Sequence, residues 1–431
     1  MKMERHLIAN AVRGEVNKLQ GFVENIRNKR TMAFLVLRDY SGRIQLTVEK
    51  EKYPEIAEQV DKLTVESVIT VEGMVVENSF VKMGGVEMLP EKMHIESIAE
   101  PLPISKDAAI DSRLDYRWVD LRSDRNTLIF KAQTCMVGAM REFCLQKNFM
   151  EIHTPKLIGA ASESGSDVFE LKYFDRKAYL SQSPQFYKQM AMAAGFDRIF
   201  EVGPVFRAEK SFTNKHATEF TGFDIEMSYI TSFREVMEME AEILQYALQK
   251  VKDQYGEQIK EIFGLEVVVP TLPFPEMKLQ DVYKELEERY GYTCPEEEKN
   301  DLTTEAEHLC AKLSMDKFGH EFLFVTDYGP EKRAFYHMRD EHGMPLGYDL
   351  IWRGTEITTG AQREHRYEQL RAQADEKGLG EDVKFYMDFF RYGCPPHGGF
   401  GLGVDRLTML LVGVPIKEVM FLFRGPNRLT P

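Results

Sequence analysis

Four stretches of this 431-residue chain place chemically able side chains at spacings that one site could use. The first is FRAEKSFTNKHATEFTGFDIEM, beginning at Phe206. A strand-like run, Arg198–Phe206, leads into Arg207 and Glu209, which in extended backbone point to the same face. A cationic loop with Lys210, Lys215, His216 and Ala217 follows, and the chain returns through Phe220 to Asp224 and Glu226. Such a hairpin suits a polyphosphate: a guanidinium grips phosphate oxygens as a fork, and an aromatic ring can stack on a base. A surface hairpin with solvated charges would carry the same pattern. The second stretch, PPHGGFGLGVDRLTMLLVGV from Pro395, combines glycines that permit close backbone approach with an apolar helix from about Val404. Its Arg406 needs an anionic partner, because an unpaired buried charge is expensive. A dinucleotide fingerprint is excluded, since Arg406 replaces the third glycine of GxGxxG and no βαβ unit precedes it. A glycine-rich turn with a structural ion pair fits equally well.

The third stretch, YDLIWRGTEITTGAQREH from Tyr348, offers Asp349, Glu356 and Thr359 as hard oxygen ligands of the kind Mg²⁺ takes beside substrate phosphates. Arg363 lies just beyond. The fourth, YLSQSPQFYKQM from Tyr179, sets Gln185 and Lys188 on one side of a helix. Either could otherwise be ordinary solvated surface.

The elements that must position these groups are legible in outline. Glu15–Arg27, Ala33–Arg38, Ile44–Val48, Ser67–Val75 and Val86–His94 are β-prone runs separated by turn material. Five short strands in residues 1–100 suggest an OB-type barrel. Residues 1–50 hold 10 Lys and Arg against 5 Asp and Glu, so the barrel is locally basic. Pro101 and Pro103 open a polar stretch, 101–125, that reads as a hinge or linker. A helix is expected from about Asn126 to Gln146, with Ile129, Ala132, Met136, Met140 and Phe143 on one stripe. Strand-like and helix-like segments then alternate irregularly, which favours an α+β fold with an antiparallel sheet over residues 126–431. Phe233–Gln258 is a further helix, and residues 265–325 read as an inserted, charge-rich helical subdomain.

Composition limits the function classes. Fifty-five basic against 69 acidic residues give a formal charge of −14, which excludes a generic nucleic-acid coat but allows a local basic face. No run is long and apolar enough for a membrane helix. Five widely spaced cysteines with no CxxC disfavour a disulfide framework or zinc ribbon and fit a reducing cytoplasm.

Together, and in this order, the strings resemble class II aminoacyl-tRNA synthetases, specifically the aspartyl enzymes of the archaeal and eukaryotic type. The resemblance spans nearly the whole chain: an anticodon-binding OB fold, a motif 1 helix and strand ending at Pro155, motif 2 at Phe206–Glu226 and motif 3 at Gly401–Leu411. It implies a six-stranded antiparallel catalytic sheet and a homodimer built through motif 1. It implies activation of L-aspartate by ATP, then transfer of the aspartyl group to tRNA-Asp. Arg207 would hold the α-phosphate and the substrate carboxylate, Arg406 and His216 the terminal phosphates, and Phe220 the adenine, with Glu209 at its amino group. Lys215, Ala217, Gly403, Val404, Asp405 and Leu407 would complete the ATP site. Asp349, Glu356 and Thr359 would hold Mg²⁺. Lys188 and Arg363 would face the aspartate side chain with Gln185 and Thr359 nearby, and Asp224 with Glu163 would take its ammonium. Asparaginyl relatives lack the lysine in the QSPQFYKQ segment, so Lys188 favours aspartate. In the barrel, Phe34, Gln45 and Glu87 match anticodon readers, with Arg27 beside them. Phe34 would otherwise be barrel core.

The chain departs from the family in Ser162–Ser166, in Lys215 for an arginine, in Thr359 for a serine, and at its C-terminal end, Leu422–Pro431. Discrimination between tRNA-Asp and tRNA-Asn falls on Glu24 and on Met83, Gly84 and Gly85. The tryptophan that strict relatives carry near Glu24 is absent, so dual charging stays open.

Overall fold

Alternating burial in the first hundred residues closes a barrel. The structure, a computed structural model, describes residues 3–159, 168–210 and 213–431. Its chain separates into two compact units, Met1–Asp120 and Leu121–Pro431. In the first, β1 (Val16–Asn28), β2 (Met32–Arg38), β3 (Arg43–Glu49), β4 (Val68–Glu77) and β5 (Val86–Ser97) form a closed barrel in the order β1-β2-β3-β5-β4. Side chains on a strand point alternately inward and outward. Leu35, Leu37, Ile44, Leu46, Val48 and Met88 therefore fill the interior, whereas Phe34, Val36 and Gln45 lie half-buried on the outer face. That alternation decides against a core role for Phe34. Opposite Phe34 in the ladder are Arg27 on β1 and Thr47 on β3; the adjacent row runs Val36, Gln45, Glu87.

A bulge in β1 falls at Glu24, between paired Val23 and Asn25. Bulges re-aim side chains, and here the Glu24 carboxylate accepts from Arg43 Nη2 at 2.9 Å. The polar stretch after the barrel is not featureless. It contains two short helices, Ile110–Asp115 and Arg117–Asp120, fixed where Arg113 and Arg117 both donate to Asp120.

The second unit is built on an eight-stranded mixed sheet. Its strands are β6 (Met150–Glu151), β10 (Arg198–Phe206), β11 (Glu219–Ser228), β12 (Glu276–Lys278), β13 (Phe322–Thr326), β14 (Gly347–Trp352), β15 (Thr355–Arg363) and β16 (His397–Gly403). A separate three-stranded sheet holds β7 (Leu157–Ile158), β8 (Glu170–Tyr173) and β9 (Arg176–Leu180). The large sheet runs β12-β13-β14-β15-β16-β11-β10-β6. Its six central strands pair antiparallel throughout. The expected six-stranded sheet is thus extended by one parallel strand at each edge, β12 beside β13 and β6 beside β10. These edge strands are two or three residues long, too short to stand out in a hydrophobic pattern.

Helices Asp124–Gln146 and Arg234–Phe263 pack on one another. Ser123 caps the first, accepting from Asn126 N at 3.3 Å. Helices Leu279–Tyr290 and Thr304–Phe318 form their own core with Leu323 and Val325 of β13. Residues 265–325 therefore both carry a helical layer and supply β12 and part of β13 to the sheet. Among the described residues no helix is long and apolar enough to cross a membrane.

The outward position of Phe34 is open to test. Leu35→Ala should cost about 2–5 kcal/mol of barrel stability, and Phe34→Ala under about 1 kcal/mol, read by hydrogen exchange of β2 and β3 amides. Equal losses would mean that Phe34 is core.

Candidate active site

Motif residues from all four stretches converge on one cavity of about 430 Å³ in the second unit. The hairpin β10–β11 supplies one wall. Val205 pairs with Phe220 in its ladder, and the Arg207 guanidinium lies 5.6 Å from the Phe220 ring centroid. Glu209 sits 3.8 Å from Arg207 and 4.0 Å from His216, so the three polar groups at the hairpin mouth face one another. Burial, and then the charge of Arg406, hold the His216 imidazole below its ordinary pKa.

The glycine-rich segment is a strand rather than a turn. Gly399 and Gly401 lie on β16 beside β11, and their missing side chains make room for two carboxylates. A Cβ on Gly399 would meet Ile225 O at 2.0 Å and Glu226 Oε2 at 2.4 Å; one on Gly401 would meet Asp224 Oδ1 at 2.9 Å. At the end of β16 begins the helix Val404–Val412. Arg406 leaves its first turn and donates to Glu356 O on β15 at 2.7 Å. In place of the anionic partner expected for Arg406 the structure gives a neutral backbone carbonyl, with the Glu356 carboxylate close enough to feel its charge.

Glu356 and Thr359 line the cavity from β15, with Thr359 Oγ1 donating to Glu356 at 3.2 Å. Burial, followed by the neighbouring charge of Asp349, pushes the Glu356 carboxyl up to about 7 against the pull of Arg406. Asp349 pairs with Thr359 in the ladder but is bound by Arg333, which lines the cavity and whose Nη1 and Nη2 donate to its two oxygens at 2.8 and 2.7 Å. Its carboxylate is held by a protein cation instead of facing the cavity, unlike Glu356 and Thr359.

Beyond the hairpin lies a buried cluster of four charges. Gln185 and Lys188 share the helix Gln185–Ala193. Gln185 lines the cavity. Lys188, 1% exposed, puts its Nζ 3.0 Å from Asp224, 3.4 Å from Glu226 and 3.0 Å from Phe400 O. Arg363 Nε donates to Glu226 at 3.1 Å and its Nη2 to Gly399 O at 2.9 Å. Burial works to raise the Glu226 carboxyl, but Arg363 and Lys188 together hold it below the usual carboxylate range. Burial raises Asp224, with Lys188 opposing. His337 Nε2 lies 3.4 Å from Arg363; burial and that guanidinium depress its pKa and keep it neutral.

The structure thus brings Arg207, Glu209, Lys215, His216, Ala217, Phe220, Asp224, Gln185, Glu356, Thr359, Arg363, Gly403, Asp405 and Arg406 around one space. Three expected ATP contacts have other duties. Val404 and Leu407 are buried at 2% and 0% exposure among the core residues, because the apolar face of their helix turns away from the cavity. The Asp405 carboxylate accepts from Thr221 N at 2.7 Å and ties that helix to β11. Glu163 and the Ser162–Ser166 stretch lie outside the described residues.

Sequence reasoning left three groups unassigned. Glu226 stands two residues from Asp224 on one strand, so period-2 spacing could have found it. Arg333 and Glu307 carried no local signal. Glu307, from the helix Thr304–Phe318, accepts from Lys215 Nζ at 2.7 Å and from Glu356 N at 2.5 Å.

Two family patterns match this chain: tRNA synthetases class II (D, K and N) over residues 109–424, and the OB-fold nucleic acid binding domain over residues 12–96. The chain belongs to the class II tRNA synthetase family. It is 42% identical to the aspartate–tRNA(Asp/Asn) ligase of Methanopyrus kandleri, across 97% of this chain and 96% of that one. It is 40% identical to the aspartate–tRNA(Asp) ligase of Pyrococcus abyssi, across 98% of each. Among solved structures, the asparaginyl-tRNA synthetase of Pyrococcus horikoshii with asparaginyl-adenylate superposes with a TM-score of 0.89 at 31% identity over 97% of both chains. The aspartyl tRNA synthetase of Entamoeba histolytica gives 0.87 at 30% identity, covering all of this chain and 93% of that one.

Removing Glu226 should expose the cost of the charge cluster. Glu226→Ala leaves the buried Arg363 without a carboxylate partner and Lys188 with Asp224 alone, and should lower the stability of the catalytic unit by about 3–5 kcal/mol in chemical denaturation. An unchanged midpoint would mean that Lys188 and Arg363 relax into solvent and the cluster is not a fixed device.

Proposed function

We propose that the chain is an aspartate–tRNA ligase, which activates L-aspartate with ATP and passes the aspartyl group to the 3′ end of tRNA-Asp. One observation carries this reading: the buried cations Lys188 and Arg363 share Glu226 beside the cavity that Arg207 and Arg406 line. With Asp224 reserved for the substrate ammonium, the group Lys188, Arg363 and Glu226 keeps one net positive charge. A side-chain carboxylate balances it. Asparagine leaves it unbalanced and turns amide N–H donors toward cations, a mismatch that costs heavily when the groups are buried.

Activation joins a carboxylate oxygen of aspartate to the α-phosphorus of ATP and releases pyrophosphate. Negative charge grows on phosphorus oxygens, so the demand is for preorganised cations rather than a protein nucleophile. Arg207 serves the α-phosphate and the substrate α-carboxylate. Phe220 stacks on adenine with Arg406 opposite, and Glu209 takes the adenine amino group. His216, Lys215 and Arg406 hold the terminal phosphates; Lys215 leaves Glu307 to do so.

Mg²⁺ fits this donor set. Glu356 is a cavity-lining carboxyl whose pKa is raised first by desolvation and then by the neighbouring charge of Asp349, and Thr359 adds a hydroxyl. These two would hold the ion, with Asp349 contributing charge; it would neutralise phosphate oxygens. Among the described residues no three His, Cys, Asp or Glu side chains form a metal cluster.

On the barrel, Phe34, Gln45 and Glu87 are read as contacts to the middle anticodon base, with Arg27 at the backbone. Gln45 Nε2 donates to Glu87 at 3.1 Å, and unstacked RNA bases are recognised by such aromatic and hydrogen-bonding pairs. We further infer a cytoplasmic homodimer joined through motif 1. Leu145 and Met150, 59% and 53% exposed, give that interface apolar material.

Charging of tRNA-Asn as well is the second reading, favoured by the identity to the M. kandleri ligase. Glu24 is engaged by Arg43, and Gly84 and Gly85 take positive φ of 71° and 66°, a backbone that suits glycine beside Met83. Side-by-side charging of tRNA-Asp and tRNA-Asn transcripts tests both readings: tRNA-Asp must be charged, and tRNA-Asn charged at a comparable rate marks the dual enzyme. Failure with tRNA-Asp overturns the proposal.

Lys188→Met should cut kcat/KM for aspartate in ATP–pyrophosphate exchange by about 10²- to 10³-fold with KM for ATP little changed. An unaffected aspartate kcat/KM removes Lys188 from specificity. The raised Glu356 carboxyl also sets a pH limb. It is protonated below about pH 7, so kcat/KM for ATP should rise as pH climbs through that value and then level. A flat profile between pH 6 and about 8 would contradict this role.

A further inference from the structure

Phe80 is 93% exposed, more than any other large hydrophobic side chain among the described residues. It occupies a turn built to present it. Val81 N donates to Asn78 O at 3.0 Å to close the turn, and Val81, 7% exposed, anchors it from below. The Asn78 side chain then locks the turn to the anticodon-facing row. Its Oδ1 accepts from Phe80 N at 3.0 Å, and its Nδ2 donates to Glu87 at 2.8 Å. Asn78 N also donates to Gly85 O at 2.8 Å, closing the loop at its base. Through Asn78, the turn that carries Phe80 is thus tied directly to Glu87 in the row that would contact the middle base. Exposed Lys82 follows in the same loop, a cation for the RNA backbone. An aromatic ring held in water beside hydrogen-bond readers and a lysine has the chemistry of a stacking platform for a single-stranded base.

We propose that Phe80 stacks on the anticodon base adjacent to the middle one and so contributes to tRNA recognition. The proposal rests on the barrel being an anticodon binder. Burial of Phe80 is too small for its removal to disturb folding, which makes the test clean. Phe80→Ala should raise KM for tRNA-Asp about 5- to 100-fold, with ATP–pyrophosphate exchange unchanged and Phe80→Trp restoring charging. tRNA-Asp transcripts with an abasic site at each anticodon position locate the contact. The abasic site at one flanking position should weaken the wild type as much as Phe80→Ala does, and add nothing further in that variant. An unchanged KM for Phe80→Ala, an equal loss in exchange, or abasic losses that add to the Phe80→Ala loss at all three positions would each overturn the proposal. A wild type that charges no tRNA-Asp would instead sink the ligase reading itself, so the two failures are distinguishable.

Discussion

Placing four ionised groups in the interior of a sheet is the constraint around which the catalytic unit is arranged. Lys188, Asp224, Glu226 and Arg363 are each under a tenth exposed, and buried charges survive only when paired and hydrogen-bonded. Their geometry dictates neighbouring sequence. β16 must be glycine-rich because a side chain at Gly399 or Gly401 would occupy the space the two carboxylates need. The helix bearing Lys188 must pack against β11 so that one ammonium reaches both acids. His337 must stay neutral beside Arg363, and burial ensures it. A site organised in this way is fixed before substrate arrives, which is what electrostatic preorganisation requires.

The fold was legible where pattern and packing agree. Five β-prone runs separated by turn residues announced the barrel, and the single stripe of Ile129, Ala132, Met136, Met140 and Phe143 announced the long helix. The two-residue strand β6 and three-residue strand β12 escaped, because pairing to a neighbour defines them and no local periodicity does. The helices between Ile110 and Asp120 escaped because two arginines on one aspartate hold them, a tertiary effect hidden in polar composition.

The site was legible as a set of motifs but not as an arrangement of charges. Residue types around Phe206, Tyr348 and Pro395 suggested phosphate and metal chemistry, and all three segments border the cavity. The partners of those residues were hidden. Nothing near Asp349 points to Arg333, and nothing near Lys215 points to Glu307, since both acidic–basic pairs are made across the fold. Of the glycines that suggested close ligand approach, Gly401 and Gly403 do line the cavity, while Gly399 and Gly401 also accommodate the protein's own carboxylates. Helical period separates Arg406, which faces the cavity, from Val404 and Leu407, which do not.

The central claim is that, with Asp224 paired to the substrate ammonium, this charge cluster admits one more negative charge and no neutral substitute. ATP–pyrophosphate exchange driven by aspartate and by asparagine, at saturating ATP and matched amino-acid concentrations, measures that directly. The account predicts exchange with aspartate and at least about 10³-fold lower kcat/KM with asparagine. Exchange with asparagine at a comparable kcat/KM would contradict it.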